Sequence, residues 1–206
     1  LNSPGDTDKP GDTDKPGDTD KPGDTDKPGE TDKPVDSDPK DEVVVVDPSE
    51  LPFTDLTANW YKEAVAYVYS YGLMNGTSDT TFAPDVNLNR AMMATILYRI
   101  EGTPKVTSAN PFTDVPAGEW YTDAIIWAAE NGIVTGYGDG IFKPTTNITR
   151  EQMACMMYRY AKFKGADISA ANNLAAFTDA GKVSSWADKE MKWAVEEGLI
   201  NGMTKT

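Results

Sequence analysis

Two arginines stand at matched places in this 206-residue chain. Arg90 follows Asn89 and Arg150 follows Thr149, and an apolar periodicity of helical spacing begins just after each. A guanidinium presents paired donors in a fixed fork, which suits a carboxylate or a phosphate. Other chemistry-bearing residues are scarce. The absence of histidine removes imidazole acid/base catalysis, a Ser-His-Asp triad and His-ligated metals. The single cysteine, Cys155, excludes an intramolecular disulfide and any multi-cysteine metal site. With 33 acidic against 19 basic side chains and a net charge of −14, and with no cluster of Lys and Arg, the composition argues against nucleic acid as a partner. No apolar run approaches the roughly 20 residues that cross a bilayer, so membrane insertion is not expected.

A repeated unit must position the arginines. Phe53-Thr-Asp55 recurs as Phe112-Thr-Asp114 and Phe177-Thr-Asp179, followed by Trp60, Trp120 and Trp186. Each tryptophan opens a helical stretch that ends at Gly72, Gly132 or Gly198, with an apolar residue next and a second glycine at Gly76, Gly136 or Gly202. Two copies continue through Asp79 or Asp139, then Phe82-Ala-Pro84 or Phe142-Lys-Pro144, to the arginine that opens a second helix. A fixed period of this size decides architecture more firmly than local propensity.

Each unit reads as helix, loop, helix. The first helix carries the stripe Trp120, Ala124, Ile125, Ala128 and Ala129, matched by Trp60, Ala64, Val65, Val68 and Tyr69. Glycine followed by an apolar residue predicts a Schellman ending. In the second helix Met93, Ile96, Leu97 and Ile100, matched by Met153, Met156, Met157 and Tyr160, fall at core spacing. The methionines are expected as packing filler and Cys155, aligned with Thr95, as a small buried side chain.

Residues 1–50 differ in kind. They hold 16 acidic side chains and 6 lysines, so most of the net charge is theirs. Pro-Gly-Asp-Thr-Asp-Lys occurs four times in register from Pro4 to Lys27 and then degrades. With no large apolar side chain between Asn2 and Val35, nothing offsets the ordering entropy, and a disordered spacer is expected. The Asp-x-Asp pairs do not make an EF-hand loop, because the fifth and twelfth positions counted from Asp6 are Pro10 and Gly17. Val43 to Val46 is expected to pack where this segment meets the folded part.

On the residues quoted, the chain from Phe53 onward resembles the S-layer homology family. The second copy matches the motif strongly, the first well, and the third stops at Thr206 before its Phe-x-Pro and second helix. The resemblance implies an all-α fold, helix-loop-helix repeats forming a pseudo-threefold spindle with grooves between motifs. The expected division is a linker at 1–50, motifs at 51–104 and 110–165, and an incomplete third at 175–206. It implies a non-enzymatic module holding a secreted protein on the bacterial cell wall or S-layer surface, outside the cell. The partner would be secondary cell-wall polysaccharide, commonly pyruvylated, bound without a cofactor or metal. The family's groove arginine maps onto Arg90 and Arg150. Since Leu1 falls inside a repeat, the chain reads as the C-terminal part of a longer polypeptide with an upstream domain.

The residues make their own case. Thr149 and Gln152 have capping-box spacing, so Arg150 should sit in a first helical turn, where a cation is disfavoured by the helix dipole unless something compensates. Asn89 can cap the first copy although its box is lost. Guanidinium beside unsatisfied helix N–H groups would make a carboxylate pocket. The alternative is that each arginine pairs with a nearby carboxylate such as Asp85 or Asp139. The candidate ligand-binding set is Arg90, Arg150, Asp79, Asp139, Trp60 and Trp120. The tryptophans are expected partly buried in the core with an edge available to a sugar, and Asp55, Asp114 and Asp179 are expected to cap the turn before the first helix. A lattice or protein-interaction module, or the targeting part of a larger surface glycoside hydrolase, are the other readings; no unique carboxylate pair points to catalysis within the repeats. Leu51-Pro-Phe-Thr-Asp55 has Asp where a sortase signal needs glycine, and covalent sorting is rejected.

Overall fold

Caps and glycines set the helix boundaries in the computed structural model, which describes residues 43–170 and 174–202. The helices are α1 (Lys62–Ser70), α2 (Arg90–Ile100), α3 (Thr122–Glu130), α4 (Arg150–Phe163) and α5 (Asp188–Glu196). The described residues contain no strand, only isolated bridges such as Asn89 with Asn147. The expected spacer lies almost wholly outside the described residues. At its end Val46 N–H donates to Ser70 Oγ (2.9 Å), and a 3-10 turn at Pro48–Glu50 rests against α1.

The ends of the helices follow the sequence closely. Asn89 Oδ1 accepts from Met92 N–H at 2.9 Å, and Thr149 with Gln152 forms the full capping box. Gly72, Gly132 and Gly198 take φ of 65°, 67° and 68°, and the following N–H groups of Leu73, Ile133 and Leu199 reach back to Val68, Ala128 and Ala194.

The units interlock rather than stand as separate hairpins. α2 packs on α3 of the next unit and α4 on α5 of the one after. This covers Trp127, which meets Tyr98 at 5.6 Å between ring centroids, and Trp193, which meets Tyr158 at 5.5 Å. Trp127 and Trp193 are 5% and 4% exposed, whereas their counterpart Tyr67 on α1 is 50% exposed, because no second-type helix covers α1 among the described residues. Ile125, Ile133 and Phe142 are fully enclosed. The second-helix stripe is rotated from the one expected: α2 buries Ala91, Met93, Ala94 and Leu97, while Ile100 is exposed and Ile96 faces a groove.

The Phe-Thr-Asp aspartates do something other than cap. Asp114 accepts from the N–H groups of Phe142 (2.8 Å) and Lys143 (2.7 Å), and Asp55 accepts from Phe82 (2.9 Å) and Ala83 (2.7 Å). Lys143 and Ala83 have φ of 60° and 64°, a left-handed conformation that costs a non-glycine residue about 1 kcal/mol or more. Two charged hydrogen bonds hold each strained corner. Thr113 N–H to Gly140 O (2.8 Å) and Thr54 N–H to Thr80 O (2.9 Å) fasten the same contact. Asp179 has no such loop among the described residues.

Candidate functional site

Among the described residues, three of the open grooves follow the repeat. The first, about 620 Å³, is lined by the loop from Leu73 to Thr77, by Met92, Thr95, Ile96 and Arg99 of α2, and by Trp120 of the next unit. The middle one, about 330 Å³, has the matching set: Val134 to Tyr137, then Gln152, Cys155, Met156 and Arg159 of α4, and Trp186 of the unit after. Arg90 lines this middle groove too. The remaining groove, about 400 Å³, includes Arg150, Glu151, Asp179 and Lys182.

Arg90 reaches the middle groove because α2 docks its N-terminus on the Pro144 loop of the following unit. The N–H groups of Arg90 and Ala91 donate to Thr146 O (3.0 Å) and Pro144 O (2.9 Å), and Ile148 N–H returns to Leu88 O at 2.9 Å. These bonds correct one expectation. The first N–H groups of α2 are not open to a ligand, since loop carbonyls already satisfy them, and any anion must be held by the side chain. The residue is 7% exposed. Its Nε donates to Phe142 O at 2.9 Å, and the guanidinium lies 4.5 Å from the Phe142 ring centroid and 4.8 Å from that of Tyr137.

No carboxylate of the described residues makes a contact ion pair with Arg90. The ion pairs among the described residues are Lys164 with Glu101 and Lys192 with Asp188, so the expected alternative partners Asp85 and Asp139 are not used. Burial lowers the Arg90 pKa, the Asp114 charge opposes this, and Arg159 adds to the lowering. An enclosed cation of this kind is costly unless a counter-charge arrives.

Arg150 is exposed, and its Nη1 donates to Asn201 O at 2.9 Å. Its neighbour Glu151 accepts from the N–H (2.7 Å) and Oγ (3.1 Å) of Ser184. Asp79 and Asp139 are exposed and line none of these grooves, and Asp139 sits at a turn with φ of 49°. The tryptophans depart from the expected core position: Trp60, Trp120 and Trp186 are 86%, 58% and 56% exposed, because the helices begin two residues after Trp60, Trp120 and Trp186 and the indoles project beyond the packed stripe. Trp120 borders the first groove and Trp60 borders none of the three.

Sequence reasoning weighed Trp186 as a sugar platform but left it out of the candidate set, and it missed the pair Arg99 and Arg159. The signal was available: the arginines lie 60 residues apart, nine positions after Arg90 and Arg150. Arg99 Nη1 donates to Leu73 O (3.0 Å) and Arg159 Nη1 to Thr135 Oγ1 (3.2 Å). Gln152 Nε2 donates to Tyr137 Oη at 2.7 Å, which holds that ring beside Arg90.

Cys155 borders the groove but is buried, and burial with the charges of Glu190 and Glu151 pushes its thiol up to about 11. At pH 8 it should react with a disulfide reagent at least about a hundredfold more slowly than free cysteine, because few thiolates are present. Timing that reaction in the folded and the urea-unfolded chain checks this.

Three segments, residues 52–94, 111–154 and 176–206, match the S-layer homology domain. The chain is 31% identical over 160 residues to the surface-layer 125 kDa protein of Lysinibacillus sphaericus, 78% of this chain and 13% of that protein. It is 30% identical over 159 residues to the cellulosome-anchoring protein of Acetivibrio thermocellus, covering 74% of this chain and 33% of that one. It is also 30% identical over 154 residues to an amylopullulanase of Thermoanaerobacterium thermosulfurigenes, of which it spans only 8%. The chain thus spans a third or less of each of these relatives. Helical units that repeat Phe-Thr-Asp, Trp, Gly and Phe-x-Pro, interlocked around grooves and matched in three segments, place the chain in the S-layer homology family.

Proposed function

We propose that this chain anchors the polypeptide carrying it to a bacterial cell surface by non-covalent binding of an acidic secondary cell-wall polysaccharide, its pyruvate ketals seated in the middle groove. The observation that carries the reading is Arg90: a residue only 7% exposed, its guanidinium over two aromatic rings and without a contact ion pair to a carboxylate among the described residues. Asp114 acts on Arg90 only from beyond ion-pair distance, and a ligand carboxylate would supply the contact pair that the described residues do not. Trp186 then offers a sugar platform beside it. The site is therefore Arg90, Tyr137, Gln152 and Trp186, with Arg150 in a groove of its own and Trp120 bordering the first. Asp79, Asp139 and Trp60 have no groove to serve among those described.

The role is that of an address, not a catalyst. Among the matched relatives are a surface-layer protein, a cellulosome-anchoring protein and an amylopullulanase, and a shared anchoring segment would account for that mixture. The units at 51–104, 110–165 and 175–206 form the anchor. The net charge of −14 opposes an anionic polymer at long range, but most of it lies in residues 1–50, where salt screens it beyond about 8 to 10 Å.

Sedimentation with cell-wall sacculi tests the proposal. The chain should pellet with sacculi from which proteins have been removed, and should stay in the supernatant once the polysaccharide has been stripped. Pelleting that needs wall proteins would favour an interaction module instead.

A further inference from the structure

The middle groove carries two cationic side chains and no acidic one. Its lining runs from Arg90 through Thr135, Tyr137 and Gln152 to Arg159 and Trp186, in a chain with a net charge of −14. Arg159 has no carboxylate partner among the described residues; its Nη1 is bonded to the neutral hydroxyl of Thr135. Arg90 spends Nε on Phe142 O, which leaves Nη1 and Nη2 for a ligand. The two charges act on one another, since Arg159 contributes to the lowered pKa of Arg90. Two like charges bordering one small space favour a counter-ion that answers both.

The first groove is an internal control. Arg99 occupies the place of Arg159, but Met92 stands for Gln152 and Thr77 for Tyr137, and no second arginine lines it. Duplication of the unit therefore does not by itself produce the pair.

We propose that the middle groove takes a saccharide unit carrying two negative charges, with Arg90 holding one and Arg159 the other. This rests on the anionic-glycan reading above and extends it from one charge to two. At about 330 Å³ the space lies at the small end of ligand pockets, so both charges belong to one unit. Arg159 is then a specificity-determining residue, choosing dianionic over monoanionic units. Its planar fork can bond Thr135 and the ligand together, which a lysine does less well.

The test follows the indole N–H of Trp186 by NMR in the full chain, assigned with Trp186→Phe, at pH 8 and constant ionic strength. The probes are malonate, inorganic phosphate and acetate. At least one dianion should bind about tenfold more tightly than acetate. Arg159→Gln should bring that ratio close to one, Arg159→Lys should restore part of it, and Arg99→Gln should leave it as in the parent. Malonate stronger than phosphate identifies two carboxylates, and the reverse order identifies a phosphate. Equal affinity for all three anions, or a preference that survives Arg159→Gln, overturns the inference. The two readings fail separately: if Arg90→Met releases the chain from sacculi while Arg159→Gln changes no ratio, the two-charge inference falls and the anchoring proposal stands.

Discussion

Replacing Arg90 by methionine is expected to weaken binding to polysaccharide-bearing sacculi at least about a hundredfold, equivalent to about 3 kcal/mol, while leaving stability within about 1 kcal/mol of the parent. The two halves of that result come from opposite terms. Methionine keeps much of the length and apolar contact with Phe142 and Tyr137, and removes the charge of a residue that is only 7% exposed, makes no contact ion pair among the described residues and feels Asp114 only at longer range. Removing a buried charge is favourable, often by a kcal/mol or more. Against this, Phe142 O loses its bond from Nε, which costs about 1 kcal/mol, and the stacking is weakened. The terms nearly cancel in the free protein but not in the complex, where the counter-charge of the ligand is left unmatched. Arg90→Ala lacks that balance, since it also opens a cavity beside Phe142. Urea unfolding and sacculus pelleting on the same preparation read both quantities. A variant that unfolds easily yet still pellets like the parent would make Arg90 a structural residue.

The Arg90 result depends on geometry that the sequence revealed unevenly. Helix ends were legible because their signals are local: Asn89, Thr149 with Gln152, and the glycines at 72, 132 and 198 act through atoms within five residues. The family was legible because the motif is repeated. Contacts between units were not, because they join residues far apart in the chain. Nothing near Asp114 in sequence indicates that its carboxylate grips Phe142 and Lys143, 28 and 29 positions on. The destination of Arg90, which belongs to the second helix of one unit yet serves the groove of the next, is likewise a product of α2 packing on α3. The tryptophans misled for a related reason. Spacing put them on the buried stripe, but the chain is still in a non-helical turn at Trp120, so extrapolating the helical period by one turn misplaced them. Arg159 was overlooked because a basic residue late in a helix suits the dipole and so raises no question.

Asp114→Ala is expected to cost about 2 to 3 kcal/mol of stability, the larger effect of the two on the fold. Its carboxylate accepts two backbone N–H groups, and the corner it holds includes the left-handed Lys143. Without it the N–H of Phe142, whose side chain is fully enclosed, has lost its acceptor, and the strain at Lys143 is no longer offset. Asp114→Asn retains one acceptor but turns an amide N–H2 toward the other N–H, so at least about half the loss should remain. Acid reproduces the change reversibly. Burial works to raise the Asp114 pKa, yet the N–H groups of Phe142 and Lys143, with Arg90, hold it below the ordinary carboxylate value; Asp55 is lowered first by its bond from Phe82. A carboxylate with a depressed folded pKa contributes stability that is fully present above its unfolded value of about 4 and is lost as pH falls through the folded value. Urea midpoints should therefore fall below about pH 4 in the parent, and less steeply in Asp114→Ala, which has already lost that contribution. Asp179→Ala, whose carboxylate grips no loop among the described residues, should shift the midpoint by no more than about 0.5 kcal/mol. Because Phe142 O is also the acceptor for Arg90, Asp114→Ala should weaken sacculus binding even at temperatures where the chain remains folded. A folded Asp114→Ala chain with parental binding would show that Arg90 is positioned by its ring contacts alone.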